Sequence, residues 1–546
     1  MTQATGSQLV AEQLKREGVD TLFFIMGGPI IDVAGAAAAN GIRIVDVRHE
    51  QAAAMAAHAY ARATGRPGVC LAASGPATTN LLTGITNAFT DAAPVIALGG
   101  ASPTNQFGMD AFQEFDQVSC FRSVTRWAER ALHAARLPEL VNTAFRNATG
   151  QKPGPVYLDL PGDVLYSKVE HERVPFPEPV QHVRTAGDPR QIERALAVLR
   201  AAERPIVLSG SGVLWSGAEN ELAAFVERSG IPFYTTPQSR GVIAEDHDLA
   251  LLGARSTAFS QADAVLLVGT RPNFIIGYGQ APRFAPDAKF VMINSDAAEV
   301  GHNRRVDAGI VGDAKLVLRQ LLDGLDGFAS RRDSDWVQTL RKADAARRDR
   351  SEAEMGTDQT PIHPLRLCRE VRDVLPRDGV LIEDGHEILN LARQSIPSYV
   401  PRSRLNAGPN GCMGVCLPFA VGAQAANPGR QVVALCGDGS FGMNVQELDT
   451  AVRHNLPFVA VISHNGGWTG AIQGRKVPGR DLLMTRYDKV AEAFGCHGEY
   501  VEKPEEIRPA IERSFASGKP SVVNVVVDPF VKAKTQPFGS YSSRLD

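Results

Sequence analysis

The sequence predicts an α/β protein built from three doubly wound parallel-sheet domains. Three observations lead there. At 546 residues the chain is too long for one hydrophobic core. Apolar runs of strand length alternate with helical patterns over almost all of it, the mark of parallel sheets covered by helices. That alternation is interrupted twice, by a proline-rich stretch and by a charged one, which leaves three blocks.

The first block, residues 1–180, carries "TLFFIM", "IRIVDV", "GVCLAAS", "PVIALGG" and "PVYLDLP" and runs out in "ERVPFPEPVQHV". The second, 190–330, has "PIVLSG", "DAVLLVG" and "KFVMINSD", then fades into "RRDSDWVQTLRKADAARRDRSEAEMG", read as a solvated helix and linker. The third, 361–530, has "GVLIEDG", "QVVALCGDG", "FVAVISHN" and "SVVNVVVD". Residues 531–546 form a polar tail without periodicity. Blocks one and three share a strand–helix rhythm, which points to related folds. A formal net charge of −3 gives no electrostatic case for nucleic acid or a membrane surface. The apolar runs are too short to span a bilayer, and "MTQATGSQLV" lacks a signal-peptide pattern. Seven scattered cysteines suit a reducing cytoplasm. The one close pair, Cys412 and Cys416, has no histidine or further cysteine nearby and reads as packing rather than zinc binding.

The chemistry concentrates in "CGDGSFGMNVQELDTAVRHNLPFVAVISHNGGW", Cys436 to Trp468. Gly437-Asp438-Gly439 forms a turn after an apolar strand, where a phosphate often sits, yet it carries an aspartate. Asn465 follows 27 residues later, the length of one strand–helix–strand crossover. Asp438 and Asn465 then stand at the carboxyl ends of neighbouring strands, where α/β sheets bind ligands. One carboxylate, one amide oxygen and the Gly467 carbonyl make three hard oxygen ligands, a set suited to Mg²⁺ that also takes phosphate oxygens and water. Amides of Gly439 and Ser440 near the helix start would help hold a diphosphate. The aspartate thus holds the metal, and the metal holds the phosphate.

At this point the chain resembles the thiamine diphosphate-dependent enzymes, whose signature is GDG, some 25–30 residues, then Asn. The resemblance covers nearly all of the chain and implies a pyrimidine-binding domain, a central domain and a diphosphate-binding domain, in the order of the three blocks. It implies a glutamate in block one. "VRHEQAAAMAAHAYARATGRPG" supplies Glu50 at a helix start, where the helix dipole alone would also favour an acid. In the family this carboxyl bonds N1′ of the aminopyrimidine and promotes the ylid at thiazolium C2. In "LNAGPNGCMGVCLP" the resemblance assigns the Gly411 carbonyl to the 4′-amino group and Met413 to the apolar wedge between the rings. In "EDGHEIL" it places His386 beside the diphosphate. Glu387 is left unassigned there because a second carboxylate would be repulsive. Pyrimidine and diphosphate sites come from different subunits in the family, which implies a homodimer or homotetramer.

The substrate is read from smaller features. "GMDAFQEFDQVSCFR" resembles a segment of 2-hydroxyacyl-CoA lyases, which makes Phe112, Gln113 and Glu114 active-site candidates. "PRSRLN" is similar to a stretch of oxalyl-CoA decarboxylase, so Arg402 and Arg404 are candidates for CoA phosphates; a pair of surface arginines explains them equally well. The tail, with Lys532, Lys534 and Arg544, is a candidate active-site lid. The chain departs from mammalian-type lyases and oxalyl-CoA decarboxylase, which tend to have Gly-Asp-Ser in the metal motif and "EGANTMD" where this chain has "EDGHEILN". The best match is the bacterial 2-hydroxyacyl-CoA (2-hydroxyisobutyryl-CoA) lyase type. The implied reaction splits a 2-hydroxyacyl-CoA reversibly into formyl-CoA and a ketone or aldehyde, with Gln113 positioning the 2-hydroxyl and Glu114 the candidate base. Alternatives are an acetolactate synthase-like carboligase, a 2-oxoacid or oxalyl-CoA decarboxylase, and a non-catalytic partner subunit, which would be expected to lose Glu50 or the metal ligands. In the central block Arg271, Asn294 and Asp296 are nucleotide candidates, for ADP before FAD, although many relatives have an aspartate at the Asn294 position.

Overall fold

The computed structural model describes residues 2–533. In the first domain six parallel strands lie in the order Arg43–Asp46, Thr21–Phe24, Gly68–Ala72, Val95–Ala101, Val156–Pro161 and Ala128–Arg130. The central sheet runs Phe233–Thr235, Pro205–Ser209, Ala264–Val268, Lys289–Asn294 and Ala308–Val311, again all parallel. The third runs Arg404–Asn406, Val380–Asp384, Val432–Gly437, Val459–His464, Ser521–Val526 and His497–Val501. Counted within each sheet, the first and third share one strand order: second, first, third, fourth, sixth, fifth. The similar rhythm of blocks one and three is therefore a shared topology.

Continuous apolar runs form these strands because both sheet faces are covered. All five residues of Gly68–Ala72 are buried, as are all five of Ala264–Val268. The charged stretch after the central domain is a 21-residue helix, Asp335–Met355, capped by the Ser334 side chain. It is more than a solvated linker: Trp336, Val337 and Leu340 are buried against the central core.

Two alanine-rich helices join the outer domains. Glu50–Thr64 starts at His49, whose ring nitrogen accepts from the Gln51 amide, and ends at Gly65 with φ of 75°. Every residue from Ala52 to Arg62 is buried, so the helix is covered on all sides. Cys416–Ala426 packs against it so closely that a Cβ at Gly422 would lie 2.1 Å from the Ala56 carbonyl oxygen. Only small side chains allow that approach, and it sets the first domain against the third.

Candidate active site

The third sheet reverses its strand order between Val380–Asp384 and Val432–Gly437, the place where open α/β sheets bind ligands. Asp438 opens the short helix Asp438–Met443, directly after the second of these strands. Asn465 follows the neighbouring strand, Val459–His464, paired in register with Gly437 opposite Ser463. The Gly467 amide donates both to Asp438 Oδ2, at 3.0 Å, and to Asn465 Oδ1, at 3.1 Å. The structure therefore gathers Asp438, Asn465 and Gly467 at one point.

Asp438 is 1 % exposed, and its Oδ1 has no hydrogen-bond partner among the described residues. Burial pushes its carboxyl above the usual carboxylate range, with His464, 3.6 Å away, pulling in the other direction. A buried carboxylate oxygen without a donor is costly unless a cation meets it. The donor set of carboxylate and amide oxygen is that of a hard divalent ion. Space is open beside two of the glycines: a Cβ at Gly437 or Gly411 would meet nothing within 4 Å. Gly439 is different, since a Cβ there would lie 2.7 Å from the Trp468 ring. These residues fit Mg²⁺ with a diphosphate.

Gly411, with φ of 64°, closes the turn Gly408–Asn410, and Met413 is half-buried two residues on. Asp384 ties this loop to the sheet by accepting from the amides of Cys416, at 3.0 Å, and Gly385, at 2.6 Å. His386, almost half exposed, stands at the start of the helix Glu387–Ser395. The carboxylate of Glu387 is turned away into a ring of donors. It accepts from Thr469 Oγ1 at 2.9 Å, Gly470 N at 3.2 Å and Ala533 N at 2.5 Å, with His386 Nδ1 at 3.3 Å. Burial alone would raise its pKa, but His386, the Ala533 amide and the Thr469 hydroxyl bring it down to about 2. Glu387 thus anchors the loop that follows Asn465 and Gly467 and the root of the C-terminal segment.

Sequence reasoning missed Glu387, and Arg480 as well. The Arg480 guanidinium, 9 % exposed, donates to the carbonyls of Thr469, Gly466 and Asn465 at 2.8, 3.2 and 3.3 Å. It braces the loop that carries Asn465 and Gly467. The second arginine of "GRKVPGRD" gives no signal of this, because its partners are backbone atoms 11 to 15 residues back.

In the first domain Glu50 is half-buried at its helix start, and Asn80 Nδ2 donates to its Oε2 at 2.9 Å. Gln113 has a left-handed backbone, φ of 59°, and Ser74 Oγ donates to its side-chain oxygen at 2.7 Å. Such a conformation in a non-glycine residue is held by its surroundings. Here Gly75 presses on it: a Cβ at Gly75 would lie 2.6 Å from that of Gln113. Phe112 beside it is 85 % exposed. Glu114 accepts from the amides of Gly108, at 2.5 Å, and Ala111, at 2.9 Å, and these two donors lower its pKa. It works as the staple of its own loop, a poor arrangement for the base expected of it.

Both arginines of "PRSRLN" differ from the expectation of phosphate contacts. Arg404 is 3 % exposed and bonds Glu383 Oε1 at 2.5 Å and the carbonyls of Ile396 and Ala392. Its charge belongs to the core because Glu383, on the adjacent strand, is fully buried and needs it. Arg402 faces the central domain, donating to the Leu214 carbonyl and lying 5.7 Å from the Trp215 ring. Lys532 is described, whereas Lys534, Arg544 and most of the expected lid lie outside the described residues.

The central domain borders a cavity of about 390 Å³, shared with residues 90–94 and 149–153 of the first domain. Arg271 and Asn294 line it. Asp296 instead caps the Ala298 amide and faces Lys152 at 3.3 Å. No helix among the described residues is long and apolar enough to cross a membrane.

Known proteins place the chain more directly. Residues 4–120 match the N-terminal binding domain of the thiamine pyrophosphate enzymes, 192–321 their central domain and 388–525 their C-terminal binding domain. The chain is 35 % identical to a 2-hydroxyacyl-CoA lyase of Arabidopsis thaliana, over 97 % of this chain and 96 % of that one. It is 32 % identical to 2-hydroxyacyl-CoA lyase 1 of Homo sapiens, over 98 % and 96 %. It is equally similar, at 37 % over 96 % of both chains, to the acetolactate synthase large subunit of Mycobacterium tuberculosis. With all three domains matched in order and full-length relatives above 30 % identity, this chain belongs to the thiamine pyrophosphate (thiamine diphosphate) enzyme family.

Proposed function

We propose that this protein is a thiamine diphosphate- and Mg²⁺-dependent lyase that cleaves a 2-hydroxyacyl-CoA to formyl-CoA and a ketone or aldehyde, reversibly. The observation that carries the cofactor half is the buried, unpartnered Asp438 Oδ1 beside Asn465 and Gly467 at adjacent strand ends. Asp438, Asn465 and the Gly467 carbonyl would hold the metal, while Gly437, Gly439, Ser440 and His386 would border the diphosphate. Gly411 and Met413 would shape the pyrimidine side. When bound, thiamine diphosphate supplies the carbanion chemistry next to a carbonyl. Glu50 holds and moves one proton at the pyrimidine N1′.

The substrate half is supported by the segment 108–122 and by the relatives named 2-hydroxyacyl-CoA lyase. Gln113 is presented on a constrained backbone with its side chain fixed by Ser74, which suits a group that orients a substrate hydroxyl. The exposed Phe112 and Met109 beside it offer an apolar wall to an acyl chain. The similarity to an acetolactate synthase supports a second reading, a carboligase using pyruvate. The large cavity, with Arg271 and Asn294 in its wall, fits a nucleotide such as ADP. Two copies of the chain would complete each site by pairing the first domain of one with the third domain of the other.

The test is incubation with Mg²⁺, thiamine diphosphate and either a 2-hydroxyacyl-CoA or pyruvate. Formyl-CoA and a carbonyl product support the lyase, and acetolactate from pyruvate alone supports the carboligase. In parallel, Asp438→Ala should abolish calorimetric binding of Mg²⁺ and thiamine diphosphate. Unchanged affinity removes the metal assignment.

A further inference from the structure

The turn that carries Glu50 is held from outside its own domain. The Arg48 amide donates to the carboxylate of Glu447, at 3.1 Å to Oε1 and 3.3 Å to Oε2. On the other side of Glu50, Gln51 Nε2 donates to Asn444 Oδ1 at 2.8 Å. Asn444 Nδ2 donates in turn to the carbonyl of Gly414, at 2.7 Å, in the loop assigned to the pyrimidine. Asn444 and Glu447 are both fully buried and follow directly on the metal turn.

We propose that Glu447 is the positioning residue of Glu50. Its carboxylate fixes the Arg48 amide, and with it the first turn of the helix Glu50–Thr64, so that the Glu50 carboxyl reaches the pyrimidine from a set direction. The proposal rests on the reading of Glu50 given above.

Folding alone gives little reason for a carboxylate here. A buried carboxyl is costly, and Glu447 directs its oxygens to a backbone amide and to Thr450 Oγ1, at 2.6 Å. The nearby cations are committed elsewhere: Arg48 to Asp449 at 3.5 Å, and Arg453 to Asp449 and Asp46. The charged and titratable groups that surround it are Arg48 and His49 on the turn, Asp449 and Arg453 on its own helix, and Asp46 with His454 behind them. Burial pushes the Glu447 carboxyl from 4.5 up to about 7. A carboxylate is a stronger acceptor than the neutral acid. The tether therefore tightens as pH rises through neutrality.

The experiment compares Glu447→Ala and Glu447→Gln with wild type in two readouts. The first is hydrogen–deuterium exchange at C2 of bound thiamine diphosphate between pH 6 and 8.5, with saturating Mg²⁺. The second is amide exchange of residues 44–52 in the full chain without added cofactor, which does not depend on turnover. Displacing a catalytic group by about an ångström costs up to about a hundredfold. Glu447→Ala is therefore expected to slow C2 exchange at least about tenfold, and to speed amide exchange at Arg48 by a similar factor. Glu447→Gln keeps an acceptor of the same shape and should restore most of the rate at pH 6, without the inflection near pH 7 expected of wild type. If Glu447→Ala fails to fold, the glutamine profile decides. An inflection that persists in Glu447→Gln belongs to another group, such as His454, and overturns the proposal. So do wild-type C2 and amide exchange in Glu447→Ala. Glu50→Gln run alongside separates the two claims. If it exchanges at the wild-type rate, Glu50 itself is not the activator and both claims fall. If it is slow while both Glu447 variants match wild type, only the positioning role falls.

Discussion

Replacing Arg404 with methionine separates two roles for that residue, a contact for substrate phosphate and a counter-ion in the core. The structure favours the core. Arg404 and Glu383 are 3 % and 0 % exposed, and the guanidinium also satisfies the carbonyls of Ile396 and Ala392. Methionine fills similar space but removes the cation in contact with the buried Glu383, leaving Arg240 and Arg393 to act on it only from further off. Removing one partner of such a pair costs about 3–5 kcal/mol. In a domain of this size each kcal/mol moves the melting midpoint by roughly 2–4 °C, so the transition of the third domain should fall by about 10 °C. Scanning calorimetry reads this, with the lowest transition followed because a three-domain chain need not melt in one step. A double variant, Arg404→Met with Glu383→Leu, should recover most of the loss, because a well-packed apolar pair replaces a buried ion pair at little net cost. At 25 °C the KM for an acyl-CoA should change less than about twofold, since rim and core changes of this kind leave uniform binding intact. A methionine variant that melts like wild type but shows a KM raised tenfold refutes the reasoning and returns Arg404 to the substrate.

Two further outcomes follow from the geometry. Glu114→Gln loses charge but keeps an acceptor for one loop amide, so kcat should fall less than about tenfold, whereas loss of a general base costs about 10²–10⁴-fold; a loss beyond a hundredfold with normal cofactor affinity makes Glu114 the base after all. Gly422→Ala drives a methyl group against the Ala56 carbonyl, 2.1 Å away, and should cost about 1–3 kcal/mol of stability by overpacking; an unchanged melting midpoint shows that the two helices separate freely.

The fold and the meeting of Asp438 with Asn465 were legible because their signals are local. Strands such as Ala264–Val268 are buried on both faces, and that burial writes an unbroken apolar run into the sequence. Asp438 and Asn465 are joined by a single crossover, so a spacing of known length is enough to bring them together. Arg404 was misread for the opposite reason. "PRSRLN" has the composition of a surface loop, and only the pairing of Arg404–Asn406 with Val380–Asp384 puts Arg404 one strand away from Glu383. Glu387 was left unassigned because a carboxylate near a diphosphate is unfavourable in isolation. Its three donors, Thr469, Gly470 and Ala533, lie 82 to 146 residues away and cannot be anticipated from "EDGHEIL".

The same difference in range separates the groups expected to act from the groups that place them. Asp438, Asn465, Gly411 and Glu50 sit in recognisable strings because each string must itself form a turn or a helix start. Glu447, Asn444, Arg480 and Glu387 bond to backbone or side chains of distant segments, so their identity is constrained by a partner's position and leaves no pattern around them. Glu50 shows the consequence most clearly. Its own helix gives it a capped start, and the helix Pro76–Thr90 adds one neighbour, Asn80, which is too little to aim a carboxyl. The remaining constraint comes from residues 48 and 51, tied across the domain boundary to Glu447 and Asn444. Those ties are backed by the contact between the helices Glu50–Thr64 and Cys416–Ala426, where backbone lies against glycine and closer approach is blocked. On the proposed reading of Glu50, the aim of its carboxyl is thus a property of how tightly the first domain is packed on the third.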